Sequence, residues 1–182
     1  MAQRFGLPRE KFWRMYGQLR APYDRGVIGA DDYWRSMAQC AGVILDAKEL
    51  PELNARDLAM WSDYDGSMLA LAAELRQAGI RTGILSNMLA DMLAKLRAEV
   101  DWLALFDVQV YSCEVGLVKP EAAIYTRLLE ELGVEAERTL FLDDNAANVE
   151  AARRAGLQAL VFTSERQVRE YLAASLPPSR QN

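Results

Sequence analysis

The sequence predicts an α/β protein, with a parallel sheet covered by helices on both faces and a block of helices before it. Three observations carry this. From Ile80 onward, short apolar runs alternate with amphipathic helical patterns. Before Ile80, apolar residues recur at helical spacing with no strand-like run. Glycines and capping residues fall at the joints between segments.

Taken in order, Pro8 to Leu19 places Phe12, Trp13, Tyr16 and Leu19 on one helical face. A polar loop with Gly26 and Gly29 follows. Asp31 and Asp32 then open a helix through Tyr33, Trp34, Met37 and Ala41 that Gly42 ends. A third helix is expected over Lys48 to Trp61, with Pro51 tolerated in its first turn. Asp65-Gly66-Ser67 caps a helix carrying Met68, Leu71, Ala72 and Leu75 that closes at Gly79. Strands are expected at Ile80–Ser86, Val108–Ser112, Thr139–Asp143 and Leu157–Thr163. The helices that follow them are Leu89–Ala98, Glu121–Leu132, Ala146–Ala155 and Glu165–Ala174. The expected organisation is a helical segment over residues 1–64, an α/β core over 65–176 and a flexible tail over 177–182.

Composition narrows the chemistry. Of 182 residues, 51% are apolar and 26% charged, as in ordinary globular proteins. The net charge of −5, with no block of Lys and Arg, argues against a nucleic-acid surface. The apolar runs are too short for a bilayer span and the first residues show no secretory pattern, so a cytoplasmic protein is expected. Cys40 and Cys113 form no metal or redox spacing. The chain has no histidine. Ser-His-Asp and Cys-His schemes and most zinc sites are thereby excluded, and any metal is expected to be oxygen-ligated, such as magnesium.

Three strand ends or following loops carry polar candidates. Ser86 and Asn87 follow Ile84-Leu85 and could bind an anion or cap the next helix. Lys119 precedes Pro120, which is expected at the first helical position, and is either an anion-paired lysine or a solvated one. Asp143 and Asp144, with Asn148 one turn on, read as a helix cap or as a hard-cation site.

Together the three are more specific than any one of them. Leu85-Ser86-Asn87, then Lys119-Pro120-Glu121 with Ile124-Tyr125, then Phe141-Leu142-Asp143-Asp144-Asn145 with Asn148-Val149 and Ala152 resemble motifs two to four of the haloacid dehalogenase-like hydrolase superfamily. The resemblance covers nearly the whole chain. It implies a Rossmann-like parallel sheet and a small helical cap, the latter including the turn from Tyr23 to Ile28. The double aspartate is most similar to the magnesium-dependent phosphatase branch, which acts on small phosphorylated metabolites through an aspartyl-phosphate. Carried over by position, Ser86 and Asn87 bind phosphoryl oxygens and Lys119 neutralises the phosphoryl group. By the same resemblance Asp144 would be the direct magnesium ligand, and Asp143 and Asn148 would hold metal waters or Lys119.

The family's first motif, a central strand ending in the nucleophilic aspartate, has no counterpart before Arg9. Asp63-Tyr64-Asp65-Gly66-Ser67 matches it as a string, but the preceding Arg56 to Ser62 is made of helix formers and is a poor buried strand. Without its central strand the sheet is expected as two halves with unpaired inner edges. The resemblance therefore implies an inactive or truncated form, or a non-catalytic binding module that keeps the pocket. A metal-free 2-haloacid dehalogenase is disfavoured by the double aspartate. The aromatic residues Trp13, Tyr16, Tyr23 and Trp34 are expected in the core rather than on a substrate.

Overall fold

The computed structural model describes residues 1–175. The tail expected to be flexible, 177–182, lies outside them. The chain divides into two compact units. One comprises Met1–Tyr64, Ile84–Ala104 and Gln109–Val118, and the other Asp65–Gly83, Leu105–Val108 and Lys119 onward. The expected helical segment 1–64 thus lies wholly in the first unit, which also takes in two later stretches.

The first unit begins with helices α1 (Arg9–Gln18), α2 (Ala21–Asp24), α3 (Ala30–Ala41) and α4 (Leu50–Met60). The short helix α2 occupies what the sequence reading treated as loop. Pro22 sits in its first turn, where a missing N–H costs nothing. The apolar stripes of α1 and α3 meet in an aromatic core. Phe12, Tyr33 and Trp34 are fully buried there and Phe5 and Tyr16 nearly so. The Tyr16 and Tyr33 rings meet edge-on, 5.7 Å apart, and the Tyr23 and Tyr33 rings stack at 4.9 Å. Trp13 departs from expectation. It is 38% exposed, because it lies at the rim of the stripe and packs edgewise on Phe12 and Tyr16.

An ionic cluster is buried in this core. Asp57 of α4 has no exposed surface. It accepts hydrogen bonds from the Tyr16 hydroxyl and from Arg20 Nη1, the latter at 3.0 Å. Arg20 Nε donates to Asp24 at 2.9 Å, and the guanidinium lies 4.8 Å from the Tyr16 ring centre. Burial outweighs Arg20 at Asp24 and raises its carboxyl above the ordinary value of 3.8. The folded state then holds that proton more tightly than the unfolded chain. The stability linked to it is present below the unfolded pKa and is lost as pH rises through the folded one. Asp24→Asn is therefore expected to gain stability over the parent at pH 7. Thermal melts at pH 7 and at about pH 3 check this, the gain shrinking at the lower pH.

The first unit also holds strand β1 (Gly83–Ser86) from Ile84 onward, helix α6 (Ala90–Glu99), strand β2 (Val108–Tyr111) from Gln109 onward and the one-turn helix α7 (Ser112–Val115). Leu89, Met92, Leu93, Leu96 and Tyr111 join the aromatic core.

The second unit contains α5 (Gly66–Gln77), α8 (Ala122–Leu132), β3 (Leu140–Asp143), α9 (Ala146–Arg154), β4 (Gln158–Val161) and α10 (Glu165–Ser175). Asp65 starts α5, its carboxylate accepting from the N–H groups of Ser67 and Met68 at 2.9 and 3.3 Å. The string Asp63 to Ser67 is thus a helix cap, and no strand leads into it. Strands β3 and β4 pair in parallel, with Leu140 opposite Gln158 and Asp143 opposite Val161. Ala151 and Ala152 are buried, and their small side chains let α9 lie close to both strands. Helix α8 stops at Gly133, whose φ of 61° is the left-handed turn that glycine adopts without penalty.

Among the described residues the four strands form two separate two-stranded sheets, β1 with β2 and β3 with β4. No helix is long and apolar enough to cross a membrane, again among the described residues.

Candidate functional site

The site in the second unit is built on the alternation of β3. Phe141 and Asp143 share one face of the strand, and both are buried. Phe141 packs edge-on against Tyr125 of α8, with ring centres 5.5 Å apart. Asp143, two residues on, brings a carboxylate to the carboxyl end of the strand on that same buried face.

Three donors hold that carboxylate. Lys119 Nζ donates to Oδ2 at 2.6 Å, while the Asn148 amide and the Asn145 backbone N–H donate to Oδ1 at 2.9 and 2.8 Å. The Lys119 side chain is only 12% exposed and that of Asp143 5%, so this is a buried pair and Lys119 is not a solvated surface lysine. The Asn148 backbone carbonyl accepts from the Tyr125 hydroxyl at 2.9 Å. Burial, helped by the nearby Asp143 charge, pushes that phenol up to about 12, so Tyr125 remains a neutral donor at physiological pH.

Pro120 does not stand at the first helical position. Glu121 has an extended ψ of 136°, so α8 begins only at Ala122, and Pro120 lies in the turn before it. The Lys119–Pro120 peptide bond is cis.

Caps and ligands now separate. The cap of α9 is Asn145, whose side chain accepts from Ala147 N at 2.9 Å, and neither aspartate caps the helix. Asp144 is exposed and, with Asp143, Met68, Leu142 and Phe162, lines an open pocket. Both Asp143 oxygens accept protein donors, so Asp144 has the carboxylate open to a cation. Among the described residues no three acidic, cysteine or histidine side chains converge on a metal position. Magnesium is compatible with that sparse set, since it takes one or two carboxylates and fills its octahedron with water and phosphate oxygens.

Ser86 and Asn87 belong to the first unit, at the end of β1. They do not cap α6, which starts at Ala90 with Leu89 in the cap position and no side-chain cap. Sequence reasoning missed Asn145 as a cap and Tyr125 as a support for Asn148. It also missed Ser112, read as the last residue of a strand and found instead opening α7. A small hydroxyl residue just past an apolar run was the only available signal.

The model of the haloacid dehalogenase-like hydrolases matches residues 2–156. The chain belongs to that family. Among curated relatives, a phosphatase from Mycobacterium tuberculosis, MT3486, is 33% identical over 72% of this chain and 61% of its own length. A haloacid dehalogenase family enzyme from Bacteroides thetaiotaomicron, solved with magnesium and inorganic phosphate, is similar with a TM-score of 0.63 and 18% identity. The match covers 86% of this chain and 87% of that one. The L-2-haloacid dehalogenase RSc1362 is similar with a TM-score of 0.69 at 18% identity, over 94% and 89% of the two chains. At these identities the solved structures establish the fold. The chain spans 30%, 24% and 61% of the length of three curated relatives it matches, a drimenol cyclase from Aspergillus calidoustus, a mouse bifunctional epoxide hydrolase and the mycobacterial phosphatase.

Proposed function

We propose that this chain carries the magnesium- and phosphoryl-binding residues of a phosphomonoesterase acting on small phosphorylated metabolites. The observation that carries this reading is the Lys119–Asp143–Asn148 constellation, which leaves Asp144 open on the pocket. Asp144 would hold magnesium directly, with Asp143 setting the position of Lys119. When bound, magnesium neutralises charge on the phosphoryl oxygens. Lys119 supplies a fixed positive charge within the second unit. Separately, the motif resemblance of Ser86 and Asn87 supports reading that loop of the first unit as a donor to phosphoryl oxygens. Phosphoryl transfer depends mainly on positioning and charge neutralisation, which such groups provide. The mycobacterial phosphatase supports this reading over a metal-free dehalogenase. The free thiols of Cys40 and Cys113 fit a reducing cytoplasm.

A second reading is favoured by one observation. Strands β1, β2 and β4 end in Ser86, Tyr111 and Val161, so among the described residues no strand end besides that of β3 presents an aspartate to act as nucleophile. The 182-residue chain would then be a binding module without turnover.

Calorimetric titration with inorganic phosphate tests the site. Phosphate is expected to bind more tightly with magnesium than without. Asp144→Asn should lower the affinity measured with magnesium by about tenfold, corresponding to ~1.4 kcal/mol, and leave the metal-free value unchanged. Equal affinity in all four titrations would sink the proposal. Hydrolysis of p-nitrophenyl phosphate by the 182-residue chain is expected to be absent, and rapid magnesium-dependent turnover would refute the second reading.

A further inference from the structure

Ser112 is fully buried, and its hydroxyl joins three distant stretches of the first unit. It accepts a hydrogen bond from Met88 N at 2.8 Å and donates to the Asp24 carbonyl at 2.5 Å. A serine hydroxyl has one proton to donate, so these two bonds use it as donor once and as acceptor once. Met88 is the residue after Ser86-Asn87, and Asp24 is the last residue of α2.

The two sides of this bridge are tightly built. Gly26, with φ of 70°, passes so close to α7 that an added Cβ would lie 2.8 Å from the Cys113 carbonyl oxygen. Arg25 Nη1 donates to the Gly116 carbonyl at 3.0 Å, at the far end of the same turn. The α2 turn is thereby fixed on α7 at three successive residues, Asp24, Arg25 and Gly26. On the other side, Ser86 and Asn87 are only half-buried, and no side chain caps the helix that follows them. The bond from Ser112 to Met88 N links this loop to the α2–α7 block.

We propose that Ser112 is a positioning residue. It holds the Ser86–Met88 loop in the conformation that presents its hydroxyl and amide donors to phosphoryl oxygens, with the α2 turn as its anchor. This rests on the reading of Ser86 and Asn87 as phosphoryl ligands given above. Ser112 itself is buried and touches no substrate. Removing its hydroxyl leaves the Met88 N–H without a partner, and the loop leaves its bound geometry for part of the time.

Two measurements on the full 182-residue chain test this. In Ser112→Ala, amide hydrogen exchange at Met88 should accelerate by about 100-fold while the amides of α6 keep their protection. Inorganic phosphate affinity should fall by about tenfold, and Ser112→Thr, which keeps the hydroxyl, should restore both. Ser86→Ala is the control for the loop itself. Unchanged Met88 exchange in Ser112→Ala overturns the proposal. Faster exchange with unchanged phosphate affinity, where Ser86→Ala does weaken phosphate, reduces Ser112 to a structural role and also overturns it. If Ser86→Ala leaves phosphate affinity unchanged, the assignment of the loop to phosphate fails, and the role of Ser112 fails with it.

Discussion

Lys119→Met is expected to destabilise the protein by about 3–5 kcal/mol, because it leaves the Asp143 carboxylate buried without its cation. For a chain of this size that corresponds to a fall in melting temperature of roughly 6–20 °C. Methionine keeps most of the lysine stem, so the loss reports the charge more than the packing. Adding Asp143→Asn removes the stranded charge and keeps an oxygen for Asn148 and Asn145 to donate to. The double variant should therefore be more stable than Lys119→Met alone. Urea unfolding of the parent, both single variants and the double variant measures the coupling. Losses that simply add would show that Lys119 and Asp143 act independently, contrary to the 2.6 Å contact.

Arg20→Met carries the second large effect. It strips the guanidinium from Asp57, which has no exposed surface, and from Asp24, leaving the Tyr16 hydroxyl donating to Asp57. A loss of about 3–5 kcal/mol is expected, since two buried carboxylates lose their shared cation. Arg20→Lys should recover only part of it. An ammonium cannot reproduce the fork in which Nε meets Asp24 while Nη1 meets Asp57. Denaturant midpoints of the three proteins decide this, and a loss below about 1 kcal/mol for Arg20→Met would contradict a buried ionic cluster.

Much of the fold was legible because its signals are local. Alternating apolar runs and helical patterns placed the four strands of the described residues within a few positions, and Asp65 and Gly42 marked helix ends by capping chemistry that depends on near neighbours. The errors are non-local. Pro120 looked like a helix start because its preference is local, but Glu121 in extended conformation delays α8. Trp13 followed the apolar stripe of α1, and whether the rim of that stripe is covered depends on packing partners that sequence spacing does not reveal.

The sequence by itself determined the chemistry available to this protein. It has no histidine, and its Ser86, Lys119 and Asp143-Asp144 fall in that order at strand ends or in the loops that follow. Residue identity and order along the chain suffice for that, because neither depends on tertiary contacts. Only the tertiary structure decided how Asp143 and Asp144 differ. Lys119, 24 residues away, and Asn148 take up the Asp143 carboxylate, whereas Asp144 remains exposed on the pocket. Two identical, adjacent side chains are distinguished by which donors the fold brings within 3 Å, and that depends on burial and distant contacts rather than on residue type.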